Sequence, residues 1–224
     1  MATAEQLNRF RSQSDGLVAL ARRDLRDFWS ALDFTNPSLV RAAMLEFFPE
    51  IVAAYGDAAA LIGADFYDEL RNAPPSAASF RALLANPPEV EQAQGATRWG
   101  LGPLFQEEPD PAGALQLLEG AAQRLVLQAA RSTIFGSATR DTVRTGFARV
   151  PRGVTCAFCT MVASRGFVYR TAETAGQSNQ WHDDCDCSIV PGQNADDYPP
   201  GYDPDALYKL YKQGSGIGRD LPTD

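Results

Sequence analysis

All four cysteines of this chain and its only histidine lie in one short segment, "CAFCTMVASRGFVYRTAETAGQSNQWHDDCDC". Cys156 and Cys159 have the C-x2-C spacing at which a tight turn directs two thiolates toward one cation. His182, Cys185 and Cys187 follow in an H-x2-C-x-C arrangement. This pattern predicts a structural metal site, because four protein ligands leave no open position at which a metal-bound water could react. Such a metal stabilises a unit that has little apolar core of its own.

Five candidate side chains compete for the four positions around a tetrahedral zinc ion. Our first choice is Cys156, Cys159, His182 and Cys185, and a site of all four cysteines is the alternative. Side chains alternate along a strand, so Cys185 and Cys187 would point to the same face of an extended segment, and either both bind or one is a packed thiol. Disulfides and buried free cysteines are the remaining interpretations.

The net charge and the lack of export or membrane signals indicate the compartment, and the compartment favours a metal site over disulfides. A formal net charge of -8 disfavours wholesale electrostatic binding to DNA or to an anionic membrane. The N-terminal residues form no signal-peptide core, and no later segment offers the roughly 18 consecutive apolar residues that cross a bilayer. We therefore expect a protein kept in the cytosol, where cysteines stay reduced.

Upstream of the cysteines, the chain has the pattern of helices separated by proline and glycine. Residues 4–32 place apolar side chains at helical spacings. The pairs Asn36-Pro37 and Asp110-Pro111 each predict a cap followed by the first helical residue. The first of these helices continues to residue 71, with Pro49 as a kink or a boundary between two helices. The second continues to residue 134.

Two shorter segments lie between these helices. The run "SFRALLA" predicts a short helix over residues 79–85. The next run, "NPPEVEQAQGATRWGLGPLFQEEPDPAG", is rich in proline, glycine and charge, and predicts a linker or a surface crossing.

After residue 136, the β-prone runs "TVRTGFARV", "FVYRTA" and "CSIVP" predict a small unit of mixed structure. Asp203 and Pro204 begin a last helix, which Gly214 closes. The predicted fold class is therefore mainly α with a small α+β C-terminal unit held by zinc. The predicted divisions are a helical domain over 1–139, a zinc-binding α/β unit over 140–192, and a loop, short helix and flexible tail over 193–224.

The cysteine segment resembles a known family. "RVPRGVTCAFCTMVASRGFVYRTAETAG", followed by "WHDDCDCSIVPG", is similar to the C-terminal domain of Mu F-like minor head proteins of tailed phages, in the form found in phages of actinobacteria. The C-x2-C, the S-R-G-x-x-Y turn and the H-x2-C-x-C match in order and spacing. With "ADFYDELR" and "AARSTIFGSATRDTVRTGFARV" upstream, the resemblance covers about residues 60 to 191.

This resemblance implies a minor capsid protein without enzymatic activity, which acts in phage head morphogenesis. It implies a location inside the virion near the portal vertex, and in the host cytoplasm during assembly. The implied partners are the portal protein and, further, the major capsid protein, the scaffold and packaged DNA, with no membrane. In the family the Cys/His positions are regarded as a metal-binding knot, which maps here to Cys156, Cys159, His182, Cys185 and Cys187.

Two catalytic alternatives require a histidine that the metal would occupy. A capsid maturation protease of the triad type needs an imidazole base beside its serine. The chain has only His182, its two lysines lie in the last helix, and it contains no G-x-S-x-G turn. A nuclease of the HNH type would need the same imidazole both as a base and as a ligand.

A third alternative is a DNA-binding protein that acts in packaging or ejection. Arg140 and Arg144 would share one face of a helix and could contact an anionic partner. A solvated basic face is the preferred interpretation. The arginines of this segment are Arg131, Arg140, Arg144, Arg149 and Arg152.

Overall fold

The structure is a computed structural model that describes residues 2–71, 79–141, 143, 146–153, 155–169, 181–185, 187–192 and 197–215. Six helices, one 3-10 turn and two strands occur in this part of the chain. In chain order they are α1 (Ala4–Ser30), α2 (Pro37–Leu70), α3 (Val90–Gly100), the 3-10 turn (Gly102–Phe105), α4 (Pro111–Arg140), β1 (Gly146–Val150), α5 (Ala157–Ala163), β2 (Ser188–Gly192) and α6 (Pro204–Ser215).

The starts of the long helices confirm the cap predictions. The Asn36 side chain accepts the N–H of Leu39 at the start of α2. Asp110 accepts the N–H of Gly113 in the same way at the start of α4. Pro49 lies inside α2, which continues past it to its end, so the chain has no helix boundary at that proline.

The two short segments before α4 were predicted wrongly. Residues 79–89 have no regular secondary structure, and the predicted linker contains α3. The backbone over 79–85 is held by other helices instead of by its own turns. Ala82 N–H donates to Asp68 of α2, and Leu83 N–H donates to the Ser137 hydroxyl of α4. These long-range partners replace the hydrogen bonds of a local helix.

The apolar side chains of the helices form a first cluster, the helical core, between α1, α2, α3 and α4. α4 runs through its centre and buries small residues as well as leucines, which lets α2 approach closely. A Cβ at Gly63 of α2 would lie 2.7 Å from the carbonyl oxygen of Ala130 of α4. The fully buried members of the helical core include Leu25, Met44, Phe48, Leu101, Leu118 and Leu125.

A second cluster, the C-terminal core, joins the ends of the helices to the sheet. It contains side chains from the start of α1, the ends of α2 and α4, and the strands. Its members include Leu7, Phe10, Phe66, Ile134, Phe147, Cys159, Trp181, Cys185, Cys187 and Ile189.

The sheet confirms the β-prone character of the region after α4. β1 pairs antiparallel with β2, with Gly146 opposite Gly192 and Val150 opposite Ser188. Phe147 N–H also donates to the carbonyl of Tyr169, which adds an isolated bridge beside β1. The protein is thus mainly helical with a small two-stranded sheet.

A buried ion pair fixes the end of α4 to the end of α2. Asp141 accepts hydrogen bonds from Arg71 Nε at 2.6 Å and from the Tyr67 hydroxyl at 3.0 Å. Burial acts to raise the pKa of Asp141, but the bonds from Arg71, Val143 N–H and Tyr67 outweigh it and hold the pKa below its usual value. The carboxylate is therefore charged near neutral pH and anchors the start of the C-terminal core.

Among the described helices, α2 is long and apolar enough by length and composition to cross a membrane. Its apolar face packs against α1 and α4. Val40, Met44 and Phe48 on that face are fully or nearly fully buried. The helical core therefore accounts for the apolar composition of α2.

Candidate metal centre

The start of α5 positions the first two cysteines. Cys156 caps this helix, and its thiol accepts the backbone N–H of Cys159 at 3.3 Å. Burial acts to raise the pKa of Cys156, but this hydrogen bond and the nearby His182 outweigh it and lower the pKa below that of an ordinary thiol. The C-x2-C turn thus presents one exposed thiol that ionises easily and one buried thiol beside it.

The other three candidates come from the loop that leads into β2, and they meet the first two. His182 Nε2 lies 3.3 Å from Cys156 Sγ and 3.0 Å from Cys159 Sγ. Cys159 Sγ lies 3.8 Å from Cys185 Sγ. The five ligand atoms form two groups, each within 4.8 Å, and Cys159 belongs to both; Cys187 belongs to the second. The structure therefore brings together every ligand candidate that the sequence indicated.

The donor types and one sulfur–sulfur distance suit a tetrahedral ion, while no four of the five described ligand atoms all lie within 4.8 Å of one another. Two sulfur ligands, each about 2.3 Å from zinc, lie about 3.8 Å apart. The separation of Cys159 and Cys185 matches that value. The three short distances above all join members of the first-choice set, Cys156, Cys159, His182 and Cys185. Cys187 lies within 4.8 Å of two of these sulfurs, so the choice of four from five stays a prediction.

His182 is held in the tautomer that a metal ligand needs. Its Nδ1 lies 2.7 Å from the backbone oxygen of Asp183, which can only accept, so Nδ1 carries the proton and Nε2 faces the thiols. Burial acts to lower the pKa of His182, but this bond and the nearby thiols raise it above its usual value. The ring is therefore oriented before any metal binds.

The pKa values of the three buried thiols are shifted in opposite directions. Hydrogen bonds from Cys159 and Cys187 lower the pKa of Cys185, and Arg131 lowers it further. The bond with Cys185 raises the pKa of Cys159 to about 12, and the bonds with both neighbours together with burial raise that of Cys187. Metals bind the thiolate form of cysteine, so a metal that bound here would release the protons that these thiols hold.

Two buried arginines beside the thiols were not predicted. Arg131 and Arg149 are 5% and 2% exposed, so the prediction of a solvated basic face is wrong for both. The guanidinium carbon of each lies 3.8 Å from the centre of the Trp181 ring. Arg131 Nη2 also donates to the backbone oxygens of Cys185 and Cys187, at 2.9 and 3.3 Å.

The Trp181 ring offsets part of the cost of burying both charges, and the two carbonyl oxygens do so for Arg131. Burial lowers the pKa of Arg131 to about 10, while the thiols Cys185 and Cys187 act in the opposite direction. Its guanidinium therefore stays charged at neutral pH. The sequence offered one signal for this arrangement, a tryptophan directly before the only histidine.

The other arginines of the segment lie elsewhere. Arg140 is exposed, and its Nη1 donates to the backbone oxygen of Gly136 in its own helix. Arg144 lies outside the described residues, so its predicted shared face with Arg140 stays a prediction. Arg152 forms an ion pair with Asp15 of α1.

The loop that carries His182 and Cys185 is docked on the helices by ion pairs. Asp183 pairs with Arg124 of α4 at 2.6 Å, and Asp184 pairs with Arg22 of α1 at 2.5 Å. Gly120 of α4 lies directly beneath, where a Cβ would lie 3.0 Å from that of Asp183. The metal-centre loop therefore rests on the same helix that runs through the helical core.

Comparison with known proteins places the chain among phage proteins. Residues 1–214 match a family model described as "VG15 protein". The chain is similar to the "Gene 15 protein" of Mycobacterium phage L5, with 31% identity over an alignment that covers 74% of this chain and 71% of the relative. The "Gene 15 protein" of Mycobacterium phage D29 is 28% identical, over an alignment that covers 74% of this chain and 73% of the relative. No solved structure matches the chain significantly.

Proposed function

The chain belongs to the VG15 protein family and is phage-encoded, and from this premise we propose that it is a minor capsid protein of head morphogenesis. It acts inside the capsid near the portal vertex, where it contacts the portal protein, and it is present in the host cytoplasm during assembly. The observation that carries the proposal is the cluster of all five Cys/His candidates, which is the feature of the Mu F-like resemblance. The major capsid protein, the scaffold and packaged DNA are further partners in this proposal.

The metal in this proposal is zinc with a structural role. Thiolates together with one imidazole are a typical zinc donor set, and four such ligands close the coordination sphere. Cys156, Cys159, His182 and Cys185 would hold the ion. Those ligands come from α5 and from the loop before β2, so the metal would join two segments that are distant in sequence.

The environment of His182 supports a structural role over a capsid maturation protease. It is the only imidazole of the chain, and both of its nitrogens are engaged. Nδ1 donates to a carbonyl oxygen, and Nε2 faces Cys156 and Cys159. In a serine protease of the triad type that nitrogen faces the serine hydroxyl, whereas here it faces two thiols that are candidate metal ligands.

The first test is to locate the protein by quantitative mass spectrometry of purified virions, purified proheads and the infected-cell lysate. We expect a few copies per particle in virions and proheads, and cross-links to the portal protein in proheads. Detection in the lysate alone, with none in either particle, would refute the assignment to the capsid.

The second test measures metal in the protein purified under reducing conditions. We expect about one zinc per chain by elemental mass spectrometry, and cysteines that react with a thiol reagent only after a chelator removes the metal. Four thiols that titrate freely before chelation, with no bound metal, would remove the zinc from the proposal and leave the capsid assignment to the first test.

A further inference from the structure

A cavity of about 380 Å³ lies between α1, α4 and the start of β2, beside the metal centre, and Cys187 of the second ligand group contributes to its wall. Its volume lies within the range of small-molecule sites, about 300 to 1,000 Å³. One part of its wall is apolar and includes Phe10, Val18 and Ile189. The rest of the wall is polar, so the cavity has the mixed lining of a ligand site rather than that of a packing defect.

Two buried polar atoms with no hydrogen-bond partner among the described residues belong to side chains that line this cavity. They are the hydroxyl of Ser14 and Nη1 of Arg131. Ser14 is 8% exposed and Arg131 is 5% exposed, so neither is an ordinary surface group. A buried polar group without a partner is costly, and native proteins leave few of them. Both atoms can donate a hydrogen bond, but neighbouring atoms cover each of them, so only an acceptor whose entry shifts these side chains would satisfy both.

The charge of the lining indicates what kind of acceptor would enter. Its ionisable side chains, apart from Cys187, are five arginines and one carboxylate, Asp15, which pairs with Arg152. Arg131 itself has no carboxylate within salt-bridge distance among the described residues. It contacts backbone oxygens and the Trp181 ring instead. Three further arginines line the cavity and are engaged by groups outside it. Arg22 pairs with Asp184, and Arg26 pairs with Glu119. Arg11 donates to the backbone oxygens of Val150 and Pro151.

We infer that this cavity binds a small oxyanion, a phosphate or carboxylate group carried on a compact apolar body. Arg131 and Ser14 donate to the oxyanion, and Phe10 and Ile189 pack against the body. Nη1 is the nitrogen of Arg131 that is left for the oxyanion, because Nη2 already donates to the carbonyl oxygens of Cys185 and Cys187. The unpaired donors belong to buried side chains, so a ligand must enter the cavity to reach them, which favours a small molecule over a DNA duplex. The inference is independent of the proposed capsid role.

The experiment is calorimetric titration of the full chain with three probes, inorganic phosphate, phenyl phosphate and benzoate, with sodium chloride holding the ionic strength constant. We expect saturable binding of at least one phosphate or carboxylate probe, and tighter binding of phenyl phosphate than of inorganic phosphate. The comparison of phenyl phosphate with benzoate tells which oxyanion the cavity prefers. Either preference supports the inference.

Ser14→Ala removes one donor without removing a charge, and we expect it to weaken binding about tenfold. Arg131→Met should abolish binding, and if that variant does not fold, Ser14→Ala still tests the site. The matched control is Arg98→Gln, which removes an exposed arginine of α3 outside the lining. It should bind as the wild type does.

Three results would overturn the inference. One is the absence of saturable binding for all three probes. Another is equal affinity of the wild type and Ser14→Ala. The third is displacement of phenyl phosphate by a short DNA duplex at constant ionic strength, which would identify a nucleic-acid surface instead.

Discussion

The helical core and the C-terminal core are built from different kinds of side chains. The helical core is closed by leucine, alanine and aromatic side chains that need no specific partner. The C-terminal core also encloses three thiols, and two buried arginines lie against its Trp181. Apolar packing tolerates the loss of one contact, whereas a buried charge that loses its partner is left uncompensated.

This difference predicts that substitutions in the two cores have different effects on folding. Truncation in the helical core should lower the stability of the whole protein in proportion to the volume removed. Loss of one polar group in the C-terminal core should disrupt the metal centre and the β1–β2 sheet as a unit, while the helices remain folded. The following variants test that contrast.

The largest effect is expected from Cys159→Ser, because Cys159 belongs to both ligand groups. We expect zinc content to fall from about one per chain to near zero, and amides of β1 and β2 to lose protection in hydrogen exchange. Amides in the buried turns of α2 and α4 should keep most of their protection. Equal loss of protection throughout the chain would show that the two cores unfold together.

Cys187→Ala and His182→Gln are the matched variants that decide the ligand set. With the first-choice set, Cys187→Ala keeps its zinc and His182→Gln loses affinity. With a site of four cysteines the two results are reversed. Retention of full zinc affinity by both variants would contradict both sets.

The next largest effect is expected at Trp181, whose ring contacts both Arg131 and Arg149. Trp181→Ala should cost about 3–5 kcal/mol, because it removes a buried aromatic side chain and uncovers Arg131 and Arg149. The control is Trp99→Ala, since Trp99 is 57% exposed and should contribute within about 0.5 kcal/mol. Urea denaturation measures both free energies of unfolding, and similar values would refute the special role of Trp181.

Asp141→Asn tests the ion pair that links the two cores. At pH 7 we expect a loss of about 3 kcal/mol, because Arg71 keeps little exposure and loses its charged partner. The pKa of Asp141 is lowered in the folded protein, so its contribution is present above the unfolded value of about 4 and is lost as the pH falls below it.

The gap in stability between wild type and Asp141→Asn should therefore narrow from pH 5 to pH 3. Measuring the gap, rather than the wild type alone, cancels the loss of metal that acid also causes. Glu107→Gln is the control, because Glu107 is exposed and should produce no gap at any pH. A gap that stays constant over this range would contradict the assigned ionisation.

The starts of α2 and α4 could be predicted because their signals are local. Asn36-Pro37 and Asp110-Pro111 satisfy the first N–H groups of each helix within a few residues. Residues 79–85 could not be predicted in the same way. Their backbone partners lie on α2 and α4, as far as 54 residues away in the case of Leu83 and Ser137. Local propensity carries no information about such a partner.

The candidate metal ligands could also be predicted from a local pattern, because the spacing of the cysteines and the histidine alone indicated the site. The burial of Arg131 and Arg149 could not be predicted from a local pattern, because a charged side chain is expected to be exposed unless a compensating group is known. For Arg131 that group is a pair of carbonyl oxygens 54 and 56 residues further along the chain. The proximity of the Cys/His candidates was thus predictable, and the side chains that surround them followed only from the tertiary structure.

The smallest expected effect tests the helical core at its closest approach. A Cβ at Gly63 would lie 2.7 Å from the Ala130 carbonyl oxygen, and the backbone of α4 would have to shift. We expect Gly63→Ala to cost about 1–2 kcal/mol, because overpacking exceeds the gain in helix propensity. Gly95→Ala in α3 has no atom within 4 Å of the new Cβ and should stabilise by about 0.5–1 kcal/mol. Zinc content should stay unchanged in both, so a loss of metal in Gly63→Ala would show that the helical core controls the metal centre.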